Sequence, residues 1–319
     1  MIATLFAPLA GPGGLGLRDD TALLTPTAGR DQIVTVDALV AGVHFFADDA
    51  PASIARKALR VNLSDLAAKG AEPTGFVLAL ALPDGWTGDW LRDFADGLGR
   101  DAATFGCPLL GGDTVRTPGP LTISITALGT VPTGRMVPRT GARPGDRLYV
   151  SGTVGDAALG LKLRLVYSPE PGLSAGLRAF LLDRYLHPQP RLGLRATLLA
   201  YANGAMDVSD GLVGDLTKML KASGVSGRLR LADVPLSEAA TVMVKQNPEL
   251  LVTAVTGGDD YEVLAAVPAA RGADFEAEAR AAGILVTAIG DVLEGEGPPA
   301  FLDASGRDQR FERGSFSHF

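Results

Sequence analysis

Cysteine is almost absent from this sequence, since Cys107 is the only one among its 319 residues. No intrachain disulfide can therefore form, and three histidines beside one cysteine make a tetrahedral zinc site unexpected. The first residues lack the basic start and cleavage pattern of a signal peptide. No stretch of about 18 apolar residues is present to span a membrane. We therefore expect a cytoplasmic protein without a membrane partner.

Basic residues are also sparse. The net charge is −7, and no run of Lys and Arg exceeds two residues. Nucleic acid is therefore not expected as a partner, because its phosphates require a basic surface. An anionic substrate is still compatible with this charge, because bound metal ions reverse the local sign. With 46% hydrophobic residues, the chain has enough apolar material for two domains or one large one.

Strand-like and helix-like patterns alternate along both halves of the chain, which predicts an α/β or α+β fold. A Pro- and Gly-rich basic stretch at 132–146 indicates a boundary between domains at 1–137 and 138–319. Ser53 is the expected cap of the first long helix, and 167–174 is expected to be a loop. The predicted strands are 32–36, 74–82, 121–131, 146–150, 205–208 and 263–267, and the predicted helices are 53–69, 90–105, 177–186, 210–222 and one from about Asp156.

Carboxylates stand beside Gly, Ser or Thr in six short segments. Each segment lies where an apolar run ends or a helix begins, so that its acid is held outside the core on a fixed backbone. Oxygen ligands of this kind bind Mg²⁺ and the phosphates that it carries. The segments are 18–20, 35–37, 62–65, 111–114, 207–211 and 257–260. If they converge, they form a site for Mg²⁺ and a phosphate-bearing ligand.

The segment 207–211 has the clearest pattern of the six. Asp207 lies inside an apolar strand, where an unpaired carboxylate is costly. Asp210 follows at the expected N-cap of a helix, and Ser209 adds a hydroxyl between them. A helix cap with a turn is the alternative interpretation. Two acids so close together need a cation or a hydrogen-bond cage, and this favours a metal.

The other segments also have simpler explanations. Asn62 and Asp65 share one face of a helix, which is either a ligand face or an exposed polar face. The Gly-Gly-Asp stretches at 111–113 and 257–259 are predicted as turns whose glycines let the backbone approach an anion. An ordinary turn would have the same sequence. Three single residues also have simpler interpretations: His44 as a core histidine, Arg139 as a surface residue and Phe316 as an anchor of the tail.

Common nucleotide-binding and catalytic motifs are missing from the sequence. It has no Gly-x-x-x-x-Gly-Lys-[Ser/Thr] loop, no protein-kinase motifs and no Gly-x-Ser-x-Gly elbow. A nucleotide bound here would therefore be held mainly through metal ions.

Taken in order, the motifs resemble those of the thiamine-monophosphate kinase family, whose fold is shared with aminoimidazole ribonucleotide synthetase and selenophosphate synthetase. The resemblance covers nearly the whole chain. It implies a two-domain fold, a homodimer through the N-terminal sheets, and ATP-dependent phosphorylation of thiamine monophosphate to thiamine diphosphate by direct, Mg²⁺-assisted transfer. The matching segments are 19–20, 35–37, 42–45, 57–59, 62–68, 111–114, 141–146, 207–212 and 257–262.

The resemblance also implies residue roles by position. Several Mg²⁺ ions would be bound by Asp20, Thr35, Asp37, Asp65, Asp113, Asp207 and Asp210, of which Asp65, Asp207 and Asp210 would be catalytic. ATP would contact Gly112, Arg139 and Ser209, and thiamine monophosphate would contact His44, Asp259 and Phe316. The chain departs from the family at four points. Arg18 precedes the first acid pair, and Asp259 replaces a common Glu, which is one methylene longer. The stretch around Lys69 lacks a usual Met, and Phe316 stands where a family Tyr could also form a hydrogen bond.

Two alternatives stay open at this point. One is another ATP-using enzyme of the same fold, such as a purine-pathway synthetase. The other is a metal-binding scaffold or regulatory dimer that binds nucleotide without turnover.

Overall fold

The computed structural model describes residues 1–166, 172–312 and 314–315. The chain divides into two compact units. Unit 1 comprises Met1–Leu66 and Ala71–Arg135, and unit 2 comprises Ala67–Gly70 and Met136–Phe319. No helix among the described residues combines the length and the apolar composition that crossing a membrane requires.

Unit 1 is built around one four-stranded sheet. Its elements are β1 (Arg30–Val40), α1 (Pro51–Ala68, whose last two residues belong to unit 2), β2 (Glu72–Leu82), α2 (Gly88–Thr104), β3 (Leu109–Arg116) and β4 (Thr122–Pro132). The strand order is β1-β4-β2-β3. Because β2 and β3 run parallel while the other pairs run antiparallel, the sheet is mixed. β1 and β3 are therefore its two edges.

The two faces of this sheet differ in burial. Ile123, Ile125 and Ala127 of β4 are buried, and their register partners in β2, Leu80, Leu78 and Phe76, are buried with them. The opposite face carries Val34 and Val36, each 59% exposed. Side chains alternate along a strand, so Thr35 and Asp37 lie on the buried face of β1.

Unit 2 contains a six-stranded sheet of order β10-β7-β9-β5-β8-β6. Only β10 and β7 pair in parallel among its described strands. Its elements are β5 (Asp146–Ser151), α3 (Asp156–Leu165), α4 (Ala175–Leu186), α5 (Arg195–Tyr201), β6 (Gly204–Val208), α6 (Leu212–Ser223), β7 (Ser226–Arg230), α7 (Glu238–Gln246), α8 (Leu250–Thr256), β8 (Glu262–Pro268), α9 (Gly272–Ala281), β9 (Val286–Leu293) and β10 (Ala300–Leu302).

Apolar clusters cover both faces of the second sheet. Leu148 and Val150 of β5 pack in one cluster with Leu216 of α6, while Tyr149 between them packs in another with Phe275 of α9. The period of two along β5 thus sends neighbouring side chains to opposite layers. Burial on both faces holds β6 in the sheet, and the candidate acids begin near the end of this strand.

Most predicted elements are confirmed to within a few residues, including the helix that starts at Asp156. Three local predictions are wrong. Ser53 is not a cap, because α1 already begins at Pro51. Residues 111–113 lie inside β3 rather than in a turn. Asp210 does not cap α6, because Gly211 holds that position. Part of the loop expected at 167–174 lies outside the described residues.

Candidate active site

Unit 1 brings two of the predicted segments together at the edge strand β1. The Thr35 hydroxyl donates to Asp65 Oδ2 at 2.5 Å, and the backbone N–H of Asp37 donates to Asn62 Oδ1 at 3.1 Å. Asn62 is fully buried, so the alternative of an exposed polar face on α1 is wrong for this residue. Thr35, Asp37 and Asp65 are therefore neighbours in unit 1, and their role as metal ligands stays a prediction.

Asp113 lies at the other edge of the same sheet. It pairs with Ala79 of β2, whereas Asp37 is on β1, three strand spacings or roughly 14 Å away. Because Mg²⁺ binds its ligands at about 2 Å, one ion cannot contact both carboxylates within this unit. Asp113 is exposed, and its Oδ1 accepts the N–H of Thr114 at 2.8 Å. Asp20 is also exposed, in the loop before β1.

The backbone explains why Gly112 is a glycine. A Cβ at this position would lie 2.0 Å from the carbonyl oxygen of Leu78 in β2. Close approach of two strands therefore excludes a side chain, independently of any ligand. Gly112 also borders a small, mainly apolar cavity together with Asp113 and Phe6.

His44 follows β1 in a tight turn. Its Nδ1 accepts the backbone N–H of Val40 at 2.9 Å, and its carbonyl oxygen accepts Lys57 Nζ at 2.8 Å. With Nδ1 acting as the acceptor, a neutral ring carries its proton on Nε2. The half-buried ring is thus oriented by the chain itself.

Unit 2 brings Asp207, Ser209, Asp210 and Asp259 together around the end of β6, whereas Arg139 lies beside the start of this strand, where Ala205 N–H donates to the carbonyl oxygen of Pro138. Asp207 is 6% exposed on this strand, opposite Val263 of β8. The backbone N–H of Asp259 donates to the carbonyl oxygen of Ser209 at 2.8 Å. The segments 207–211 and 257–260, about fifty residues apart in sequence, are therefore neighbours.

Asp210 has a basic partner outside the sequence motifs. Lys218 Nζ lies 2.5 Å from Asp210 Oδ2 and 2.9 Å from Asp215 Oδ1. Asp215 is fully buried and also accepts the backbone N–H of Asp210 at 2.9 Å. Burial raises the pKa of Asp215, and Lys218 counters this. The spacing of Asp215 and Lys218 along α6 could have indicated this pair from sequence.

Arg139 lies in a short turn of unit 2 that packs beside α6. Its side chain is exposed, and its carbonyl oxygen accepts Ser223 Oγ of α6 at 3.3 Å. Phe316 lies outside the described residues, and its predicted role stays a prediction.

Each unit contains oxygen donors of the kind that binds Mg²⁺. Across 1–166, 172–312 and 314–315, no three His, Cys, Asp or Glu residues stand close enough to hold a metal ion by themselves. Mg²⁺ usually takes one or two carboxylates and fills its remaining positions with water and substrate phosphates. Carboxylate and hydroxyl oxygens at Thr35, Asp65, Asp207 and Asp210 match that chemistry. Convergence of all six aspartates on one site stays a prediction.

Comparison with known proteins supports these motifs over almost the whole chain. Residues 18–131 match the N-terminal domain of AIR synthase related proteins, and 143–302 match the C-terminal domain. The sequence is 46% identical to the thiamine-monophosphate kinase of Caulobacter vibrioides over 312 residues, covering 96% of this chain and 86% of that protein.

Two solved structures share the fold. The thiamine-monophosphate kinase of Stenotrophomonas maltophilia K279a matches with a TM-score of 0.83 and 37% identity, over 92% of this chain and 91% of that one. AaThiL complexed with AMPPCP and TMP matches with a TM-score of 0.81 and 31% identity, over 94% and 91%. The chain has the two-domain fold of these proteins and belongs to the thiamine-monophosphate kinase family of enzymes.

Proposed function

We propose that this protein phosphorylates thiamine monophosphate with ATP, giving thiamine diphosphate and ADP. The observation that carries the proposal is the backbone bond that joins Ser209 to Asp259, beside Asp207 and Asp210. It places the residue predicted to contact ATP next to the residue predicted to contact the acceptor. Family membership supports both substrates, since a relative is described with AMPPCP and TMP. We also propose that the protein is cytoplasmic and that the boundary between its two domains lies near residue 137.

We propose direct, in-line transfer. The bond between the γ-phosphorus and its bridging oxygen breaks, an oxygen of the acceptor phosphate bonds to that phosphorus, and ADP leaves. The acceptor oxygen is already ionised near neutral pH, so no strong general base is needed. Bound Mg²⁺ supplies the charge neutralisation that lets two anions approach. Asp65, Asp207 and Asp210 would hold it, while Arg139 and Ser209 orient the nucleotide and His44 and Asp259 orient the acceptor.

An assay with ATP, Mg²⁺ and thiamine monophosphate tests this function. We expect one thiamine diphosphate for each ADP, and no ADP without the acceptor. Thiamine itself is the matched control, because it lacks the accepting phosphate. ADP formed only with a purine-pathway or selenium substrate would instead support a synthetase of the same fold, and nucleotide binding without turnover would support a scaffold. After a quench of the reaction with γ-labelled ATP, a kinetically competent labelled protein would exclude direct transfer.

We also propose that the protein is a homodimer through the sheet of unit 1. Val34 and Val36 lie on its open face, and Val115 of β3 is 49% exposed. Exposed apolar residues on a sheet without a covering layer are typical of an interface. Sedimentation at micromolar concentration should give twice the chain mass, and Val36→Glu should give the monomer. A monomeric unmodified protein would contradict the proposal.

A further inference from the structure

The segment that carries Asp259 is held in an unfavourable backbone conformation. Asp259 has φ of 74° and Tyr261 has φ of 52°, although neither is a glycine. The left-handed region is costly for residues with a Cβ and persists only where the surroundings enforce it. Two such residues on either side of Asp260 indicate a segment fixed by strong neighbouring contacts.

Asp260 supplies the first of these contacts. Its side chain is buried, with 1% of the residue exposed. Oδ2 accepts the backbone N–H of Gly155 at 2.6 Å, and Oδ1 accepts that of Ala157 at 3.2 Å. Gly155 is the N-cap of α3 and Ala157 lies in its first turn, where N–H groups have no partner within the helix. The carboxyl group therefore ties the segment to the start of a ten-residue helix.

Glu262 supplies the second contact, two residues further on. It is fully buried and accepts Arg184 Nη2 at 2.8 Å, Arg191 Nε at 2.6 Å and Ser151 Oγ at 2.6 Å. Arg184 Nη2 also lies 3.4 Å from the carbonyl oxygen of Asp260. One guanidinium thus connects both buried acids of the segment.

Between these contacts the backbone is bonded to the end of β6. The N–H groups of Asp259 and Tyr261 donate to the carbonyl oxygens of Ser209 and Val208, each at 2.8 Å. Residues 259 and 261 therefore face β6 through their backbone, while 260 and 262 send their side chains into the interior. This alternation fixes the position of Asp259 relative to Ser209.

From this arrangement we infer that Asp260, Glu262 and Arg184 are positioning residues for the acceptor substrate. They hold Asp259 in its left-handed conformation, so that its carboxylate meets the thiamine monophosphate at a fixed distance from the nucleotide side of the site. The inference rests on the proposed function. It assigns a role to a buried acid pair that makes no contact with substrate itself.

Asp260→Asn is the sharpest test. The amide has one acceptor atom and one donor atom, so one of the two α3 N–H groups loses its partner. We expect KM for thiamine monophosphate to rise roughly tenfold, while KM for ATP stays within about twofold. Amide hydrogen exchange at residues 259 and 261 should become faster even without substrate.

Asp156→Asn is the matched control. Asp156 is a fully buried acid at the start of the same helix, but its oxygens accept from Thr153 and Ser237, each at 2.5 Å. The control should lose stability without changing KM for thiamine monophosphate or exchange at 259 and 261. Equal effects of the two variants on KM and exchange would overturn the inference, as would no effect of Asp260→Asn.

A second variant keeps the test valid if Asp260→Asn does not fold. Arg184→Lys retains the positive charge but loses the shared geometry of the guanidinium, and the same rise in KM is expected. If the unmodified protein does not convert thiamine monophosphate, the proposed function fails together with the substrate part of this inference. The exchange experiment still distinguishes whether Asp260 anchors the segment.

Discussion

The candidate acids of the two units are held in different ways. In unit 1, Asp20 and Asp113 are exposed, and Asp65 accepts a hydroxyl from Thr35. In unit 2, Asp207 is 6% exposed, and the acids around it, Asp215, Asp260 and Glu262, are at most 1% exposed. These three buried acids accept hydrogen bonds from backbone N–H groups, from Lys218 and from two arginines. Protein groups therefore hold the buried acids of unit 2, whereas Asp20 and Asp113 of unit 1 face solvent.

Glu262→Ala should have the largest effect on stability. The change leaves two arginines without their buried carboxylate, and breaking a buried ion pair on one side costs about 3–5 kcal/mol. Asp113→Ala is the matched change in unit 1 and should alter the free energy of unfolding by less than about 0.5 kcal/mol. Denaturant unfolding of both variants measures the difference. Similar losses in the free energy of unfolding would show that the buried acid of unit 2 contributes no more to stability than the exposed acid of unit 1.

Asp207→Asn should have the largest effect on turnover. Loss of this proposed carboxylate ligand of Mg²⁺ should reduce kcat by roughly 10²–10³-fold. Asp146→Asn is the control in the same sheet, since this buried acid accepts from the Asn203 side chain and the backbone N–H of Arg143 and is not itself a predicted site residue. It should lower stability while kcat stays within about threefold. Unchanged activity of Asp207→Asn at limiting Mg²⁺ would contradict its role.

The effect of pH on stability should follow the buried acids of unit 2. Burial raises the pKa of Asp260 well above its usual range. The folded state then holds this proton more tightly than the unfolded state, so the contribution of Asp260 to stability is greatest below about pH 4 and falls as pH rises through the raised pKa. Asp260→Asn removes that dependence. Unfolding measured from pH 4 to 8 should show a smaller decline for the variant, and parallel curves would contradict this assignment.

Local sequence signals located the elements, because periodicity and caps act over a few residues. The start of α3 at Asp156 is an example. The same signals failed where contacts beyond the neighbouring turn decide. Asp210 resembled a cap, but its carboxylate pairs with Lys218. Gly112 resembled a turn residue, but β2 approaches it too closely for a side chain.

The buried acids were the least predictable part of the site. The stretch around Asp260 had the composition of a solvated turn, and that interpretation is wrong for this residue. Its partners lie about a hundred residues earlier at the start of α3, and those of Glu262 lie more than seventy residues earlier in α4 and the following loop. No periodicity connects such positions, since only the folded sheet places them together.

Lys218→Met should have the smallest effect, and its sign distinguishes two roles for the lysine. Its ammonium group contacts Asp210 and Asp215. Burial lowers the pKa of Lys218, but the hydrogen bonds to both acids outweigh this effect, so the pKa is raised overall. A cation there repels a divalent ion, so its removal should strengthen Mn²⁺ binding by roughly two- to fivefold, as expected for a partly exposed charge pair.

The control is Lys221→Met. Lys221 is exposed and lies one turn further along α6, so its replacement should leave Mn²⁺ binding unchanged. Electron paramagnetic resonance of free Mn²⁺ measures both variants without nucleotide. Weaker binding by Lys218→Met would instead mean that the lysine holds Asp210 in its ligating position, and unit 2 would then depend on a side-chain pair as well as on its buried acids.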